Sequence, residues 1–282
     1  MLIFNSSEGL TNFLKPLQKA KKTTGFVPTM GALHQGHLSL IQKSLDENHI
    51  TVVSIFVNPT QFNNPEDLEK YPRTLDADVK KIASLHENVL IFAPTVETIY
   101  ANNTKASSFS FDGLEHQMEG KHRPGHFDGV GTIVKKLFEI VNPTTAYFGE
   151  KDFQQLQIVK KLVEKENMNI TIIGCPIFRE ANGLAMSSRN ERLSPEAREK
   201  AKVILEILTE TKQKFKKLSI TEINNFVKLA FTNIPEFTLE YFEIAEESTL
   251  LTANNKEESK KYRAFIAVFI ENVRLIDNIS LN

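Results

Sequence analysis

Two histidines three residues apart, His34 and His37, lie where an apolar strand over residues 25–29 runs through Met30, Gly31, Ala32 and Leu33 into an amphipathic helix. Gly31 and Gly36 let the backbone approach a ligand closely, and the N–H groups that open a helix favour an anion. Two imidazoles beside them can donate to phosphate oxygens or, when protonated, offset charge that builds on a reacting phosphorus. A nucleotide phosphate is the ligand this arrangement suits. Taken alone, His34-Gln-Gly-His37 could equally be a half-exposed pair at a helix start, so its meaning depends on its company.

Four further segments carry more polar chemistry than a structural role requires. Asn58 and Gln61 follow a buried strand and can each donate and accept, which suits a ligand bearing hydroxyl and carboxylate groups; a plain turn at Asn58-Pro59 is the competing reading. Residues 119–130 set Lys121, His122, Arg123 and His126 between glycines, as a mobile cationic loop that could close over an anion ahead of a helix over 133–140, or as an exposed linker. Gly149, Glu150, Lys151 and Asp152 end a strand where a helix begins: Lys151 is a point charge for phosphate and Asp152 an acceptor for ribose hydroxyls, unless this is only an acidic helix start. Residues 179–190 put Ser187, Ser188 and two arginines around a glycine turn.

The elements that must hold these residues alternate. Apolar runs over 25–29, 50–57, 89–93, 146–149 and 170–175 read as strands, and Leu38, Ile41, Leu45 and Leu156, Val159, Val163 share helical faces between them. That predicts a doubly wound, Rossmann-like α/β domain over residues 1–180, with its polar motifs at the carboxyl ends of the strands, where such sheets bind ligands. From 181 to 282 the pattern changes to a small α+β unit. A long helix is expected from Ser194, a second from Ser219 with Glu222 at capping-box spacing, strands over 237–244 and 263–273, and a solvated hairpin loop over 254–261.

The 282 residues are 41% apolar and 24% charged, with net charge −1, so no overall field recruits nucleic acid or an acidic membrane. The lone cysteine, Cys175, excludes an internal disulfide and suits a reducing compartment. No apolar run is long enough for a membrane span, and the opening residues lack a secretion-signal pattern. A cytoplasmic location is expected.

In order and spacing, Pro28 to His37, Phe56 to Phe62, Tyr71-Pro-Arg-Thr74, Arg123-Pro-Gly-His-Phe127, Phe148 to Asp152 with Gln155, and Gly183 to Asn190 resemble the signatures of the pantothenate synthetases, ATP-dependent pantoate–β-alanine ligases, over nearly the whole chain. The histidine element is shared with the wider HxGH nucleotidylyltransferase superfamily and the class I aminoacyl-tRNA synthetases. Met186-Ser-Ser-Arg189 looks like the counterpart of their second phosphate-binding signature. The resemblance implies that pantoate's carboxylate attacks the α-phosphorus of ATP to give pantoyl adenylate and pyrophosphate, after which β-alanine's amine attacks the activated carbonyl.

By the same resemblance Met30, Gly31, Ala32, Leu33, His34, Gln35, Gly36 and His37 hold ATP, with His37, His34 and Lys151 catalytic. Lys151, Ser187, Ser188 and Arg189 would hold the phosphate chain, Gly149 and Asp152 would meet the ribose, the backbone near Phe178 would read the adenine, and Glu150 and Met186 would also belong to the nucleotide site. Gln61 and Gln155 would grip pantoate, with Asn58, Tyr71, Arg123 and His126 as further candidates. Mg²⁺ is implied with ATP, but its ligands are not identified: Asp78 is a contributor by family position or else a helix-surface acid. Ala181-Asn182 stands where an Asp before Gly183 is expected; Asn can make the same turn hydrogen bonds without the charge. A C-terminal lid and a homodimer are also implied. The competing functions are a nucleotidylyltransferase, a nucleotide-binding protein without catalysis, and a zinc hydrolase, the last weakened by H-x-x-H spacing and no evident third ligand.

Overall fold

A computed structural model describes residues 1–63, 65–101 and 103–282. Six parallel strands, β1 (Leu2–Phe4), β2 (Thr24–Thr29), β3 (Ile50–Ile55), β4 (Leu90–Phe92), β5 (Thr145–Gly149) and β6 (Thr171–Cys175), form one sheet in the order β1-β4-β3-β2-β5-β6. From β2 the chain steps outward through β3 to β4, then returns to lay β5 on the other flank of β2, pairing Gly25 with Thr145 and Phe26 with Ala146. The order therefore reverses between β2 and β5, and the crevice beyond their carboxyl ends is where a doubly wound sheet takes its ligand. His34 and Lys151 follow those two ends directly in sequence. The strands expected from apolar runs are present. β1 was not foreseen, because three residues that remain largely exposed at a sheet edge carry no periodic signal.

The chain forms two compact units. The first comprises Met1–Phe111, Arg123–Glu150 and Gln155–Pro176 and contains the parallel sheet. One side of its core is built from Val27, Val53 and Ile91 of the sheet with Leu38, Ile41 and Ile82 of helices Gln35–Glu47 and Leu75–Leu85. The second comprises Asp112–His122, Lys151–Gln154 and Ile177–Asn282. In it an antiparallel sheet of β7 (Thr238–Glu246), β8 (Tyr262–Ile270) and β9 (Val273–Ser280) packs through Ile244, Ile266 and Leu275 against Ile204, Leu208, Ile223 and Val227. The latter come from helices Val203–Phe215 and Ile220–Thr232.

Three expectations are corrected. The run expected as one strand over 263–273 belongs to two strands, reversing through Glu271 and Asn272, both left-handed with φ of 48° and 61°. That is the backbone of a tight primed hairpin turn, and Glu-Asn lacks the glycine that usually signals it. The helix expected from Ser194 is broken into Pro195–Lys200 and Val203–Phe215, although Ser194 caps it as expected, as Ser219 and Glu222 cap Ile220–Thr232. The loop over 119–130 is largely helical: Met118–His122 is a short helix and the long helix His126–Val141 begins at His126, not near 133. Gly129, which reads as a loop residue, lies inside that helix, where it packs too closely for a side chain: a Cβ there would sit 2.3 Å from the Thr60 carbonyl oxygen. The 254–261 segment is the exposed connection between β7 and β8, as expected.

Candidate active site

The histidine turn is held from beneath. At the end of β2 the Thr29 hydroxyl donates to the Ser54 carbonyl (2.7 Å) and accepts the Gly31 N–H (3.2 Å). Gly31 and Ala32 are then left-handed in succession, with φ of 82° and 49°. For alanine that conformation is unfavourable and persists only where surrounding contacts impose it. Asp78 imposes it: its Oδ2 accepts the Ala32 N–H (3.0 Å) and the Thr74 hydroxyl (3.1 Å), its Oδ1 accepts the Leu33 N–H (2.7 Å), and Lys81 donates to the Leu33 carbonyl (2.6 Å). Asp78 is fully buried, which overturns its reading as a helix-surface acid.

The turn delivers His34 to the N-cap of helix Gln35–Glu47, with His37 in its first turn. Their rings lie 4.0 Å apart, tilted by 31°, and the His34 N–H donates to His37 Nδ1 at 3.3 Å. A backbone N–H can only donate, so Nδ1 is the unprotonated nitrogen and Nε2 carries the ring proton. Gln35 is exposed, and Met30, Gly36 and both histidines are half-buried.

Beyond β3, Gln61 is gripped from several directions. Its carbonyl accepts from His126 Nδ1 (2.8 Å) and Arg123 (3.4 Å), and its side-chain oxygen accepts from Asn58 Nδ2 (3.1 Å). Asn58 is buried and also donates to the Gly129 carbonyl (3.2 Å). Tyr71 is buried against the edge of Phe62, with ring centroids 5.6 Å apart. Of the residues expected near pantoate, the structure thus brings Asn58, Gln61, Arg123 and His126 into one hydrogen-bonded group. Gln155 is half-buried on helix Phe153–Lys165, and the Cβ position of Gly149 faces open space. Gly129→Ala is expected to displace Thr60 and Gln61, raising the KM for pantoate at least tenfold with little change in the KM for ATP. Steady-state kinetics with each substrate varied would show it, and equal changes in both would refute it.

In the second unit, Lys151 and Asp152 follow β5 in a short 3-10 turn, with Lys151 Nζ 3.9 Å from the Asp152 carboxylate. The Lys151 carbonyl accepts from Asn278 of β9 (2.9 Å), whose own side-chain oxygen accepts from Arg263 (2.6 Å). Residues 178–186 form a tight reversal: the Met186 N–H donates to the Phe178 carbonyl (2.9 Å) around Gly183, whose φ is 95°. The exposed Phe178 thus offers a carbonyl already engaged. Ser187 caps the turn Ser188–Arg192 through the Arg189 N–H (3.2 Å). Met186, Ser188 and Arg189 are half-buried. Asn182, standing where an aspartate is expected, makes the turn hydrogen bond by accepting the Leu184 N–H (3.1 Å), while its Nδ2 donates to the Arg198 carbonyl (3.0 Å), a bond a carboxylate would lack.

Sequence reasoning missed the residues that support these groups. Asp277 pairs bidentately with Arg179 (2.7 and 3.0 Å), and the fully buried Asn190 ties Glu180 (2.6 Å) to the Ala185 carbonyl (3.1 Å). Gln154, beside the expected Gln155, is the buried one, and it staples the Leu114 and Gln117 carbonyls, each at 2.8 Å. The signal was present for Asn190, a polar residue closing a motif, but absent for Asp277, which comes 98 residues after its partner.

A parallel sheet whose order reverses beside a strand–turn–helix bearing paired histidines defines a Rossmann-like α/β protein with its ligand crevice at that reversal. Comparison narrows the class. The family profile described as pantoate-beta-alanine ligase matches residues 2–280. A pantothenate synthetase of Flavobacterium psychrophilum is 64% identical over 281 residues, covering 100% of both chains. The crystal structure of pantothenate synthetase from Thermus thermophilus superimposes with a TM-score of 0.91 at 38% identity, covering 100% of this chain and 99% of that one. That of the Francisella tularensis pantoate-beta-alanine ligase, complexed with β,γ-ATP and β-alanine, gives 0.78 at 36% identity, with 100% and 98% covered. The chain belongs to the pantoate–β-alanine ligase family and is an ATP-using ligase of pantothenate biosynthesis.

Proposed function

We propose that the chain condenses (R)-pantoate with β-alanine through a pantoyl adenylate, releasing AMP and pyrophosphate. The observation that carries this reading is the Gln61 group next to the histidine turn in the same unit: Gln61 Nε2 lies 3.2 Å from the sulfur of Met30, the residue that opens that turn. A carboxylate acceptor and a nucleotide α-phosphate would then meet within reach of each other. A carboxylate is a poor acyl donor until its oxygen becomes part of a good leaving group, and adenylation supplies one; the protein's work is to orient and to neutralise. His37 Nε2 donates to the α-phosphate as charge builds there, with His34 beside it, while Lys151, Ser187, Ser188 and Arg189 neutralise the phosphate chain. Gly149 and Asp152 meet the ribose, the backbone at Phe178 the adenine, and Gln61 and Gln155 grip pantoate. The relative from Francisella tularensis, complexed with β,γ-ATP and β-alanine, supports both substrates.

Mg²⁺ accompanies ATP in this reading. Among the described residues no group of three or more His, Cys, Asp or Glu side chains is placed to hold a metal ion, and both oxygens of Asp78 are occupied by the turn. The described residues thus form no dedicated metal cage; Mg²⁺ would come with the ATP, offsetting the charge of its phosphates while Lys151 and Arg189 neutralise the remainder. Among the described residues no helix is long and apolar enough to cross a membrane. A cytoplasmic location, a homodimer and a closing role for residues 181–282 complete the proposal.

The purified protein mixed with MgATP and pantoate, with and without β-alanine, tests it. AMP and pantothenate in equal amounts, appearing only with β-alanine, are expected. Retention of AMP in the product would indicate a nucleotidylyltransferase instead, and the absence of pantoate-dependent pyrophosphate would overturn the proposed catalysis.

A further inference from the structure

Tyr100 lies outside every motif described above, yet its hydroxyl, 5% exposed as a residue, is directed into the Gln61 group. It donates to Asn58 Oδ1 at 2.6 Å and lies 3.1 Å from the Thr60 hydroxyl, which also donates to Asn58 Oδ1 at 3.1 Å. Burial raises the Tyr100 phenol above its usual value, so it keeps the proton it donates. The orientation of Asn58 follows from its other partner. The Gly129 carbonyl can only accept, so the Asn58 atom facing it, 3.2 Å away, is the NH₂. That same NH₂ faces the Gln61 side chain at 3.1 Å, so the Gln61 atom it meets is the oxygen. The Gln61 NH₂ is left pointing the other way, towards the weakly accepting sulfur of Met30 at 3.2 Å. Every bond of the buried Asn58 amide is thus used in orienting its neighbours, two accepted and two donated.

We propose that Tyr100 is a positioning residue which, through Asn58, locks the Gln61 amide with its NH₂ towards the ligand, so that Gln61 acts as a pure donor selecting an acceptor oxygen of pantoate. This rests on the reading that Gln61 meets pantoate. An amide anchored through its oxygen cannot rotate to accept, and the site then disfavours a ligand lacking the acceptor, because the half-buried donor, covered by that ligand, would keep only the weak Met30 sulfur. Asn58 accordingly works through Gln61 and does not itself touch pantoate.

The test is a double-mutant cycle of Tyr100→Phe with Gln61→Ala, read as the KM for pantoate and the KM for ATP in pantoate-dependent pyrophosphate release, with melting temperature alongside. Tyr100→Phe keeps the ring and removes only the hydroxyl. Expected is a rise of about tenfold in the KM for pantoate, less than about twofold in that for ATP, and no further rise when Tyr100→Phe is added to Gln61→Ala. Asn58→Asp, which can no longer donate to Gly129 or Gln61, gives the same pattern if the phenylalanine variant folds poorly. A tenfold effect that persists in the Gln61→Ala background, or changes in both KM values alike, would overturn the relay while leaving Gln61 at pantoate. An unmoved pantoate KM in Gln61→Ala alone would take pantoate away from Gln61, and the proposal with it.

Discussion

Replacing His37 by alanine will lower the kcat for pantoate-dependent pyrophosphate release by on the order of a hundredfold or more, while melting temperature and ATP affinity stay close to those of the parent protein. The size follows from where the group acts. With Nδ1 occupied by the His34 N–H at 3.3 Å, the ring has one nitrogen, Nε2, with a proton to present to a ligand. A donor aimed at an oxygen whose charge grows only as the α-phosphorus is attacked stabilises the transition state more than bound ATP, so its loss falls on kcat and kcat/KM together. The fold should be indifferent, because His37 is half-buried in the first turn of Gln35–Glu47, a helix anchored through the buried Leu38, Leu40 and Ile41. His37→Gln, which keeps a donor on a flexible stem without the ring, should recover only part of the rate. Near-normal turnover in the alanine variant would remove His37 from the chemistry; a lost ATP affinity with unchanged kcat would make it a binding residue.

The parts of this molecule legible from sequence are those whose information is local. β2, β3, β5 and β6 are short, mainly apolar segments, buried or half-buried over most of their length, and the helices between them repeat at helical spacing, so the parallel sheet could be read off. The histidine turn was legible because glycine, strand end and helix start lie within a dozen residues. What failed was non-local or depended on close packing. Gly129 reads as a loop breaker, and only the Thr60 carbonyl lying against it shows why a helix needs glycine there. The β8–β9 hairpin turns at Glu271 and Asn272, which adopt left-handed backbone without a glycine to announce it. Tyr100 is one aromatic residue in an ordinary short helix, Val96–Tyr100, until Asn58, 42 residues earlier in the chain, is seen beneath its hydroxyl. Asp78 shows the same limit from the other side. Its position invited a metal role or a surface role, and neither periodicity nor spacing could reveal that its two oxygens face the backbone of a turn more than forty residues upstream, at Ala32 and Leu33.

That geometry makes Asp78→Asn the second substitution with a large expected effect, in a direction that distinguishes a turn anchor from a metal ligand. The carboxylate accepts three hydrogen bonds, with both oxygens engaged. Asparagine supplies one oxygen and one NH₂, so a donor is placed against either the Ala32 or the Leu33 N–H, in a site with no exposure to water. An orphaned buried donor costs about 1–3 kcal/mol, and the charge-assisted bonds lost were stronger than neutral ones. At about 2–4 °C per kcal/mol for a chain of this size, the melting temperature should fall by roughly 4–10 °C. Ala32, left-handed at φ 49°, would then lose the contact that enforces its conformation, and the path of the chain into His34 would relax with it. A displacement of an ångström at a reacting group can cost a hundredfold in rate, so kcat should fall between about ten and a hundredfold even at temperatures well below unfolding. The Mg²⁺ concentration that gives half-maximal rate should stay within about twofold of the parent value. If Asp78 instead held the ion, the variant would need much more Mg²⁺ and would recover as Mg²⁺ was raised, with its melting temperature in the absence of nucleotide little changed; a Mg²⁺ titration on the parent and variant proteins separates the two.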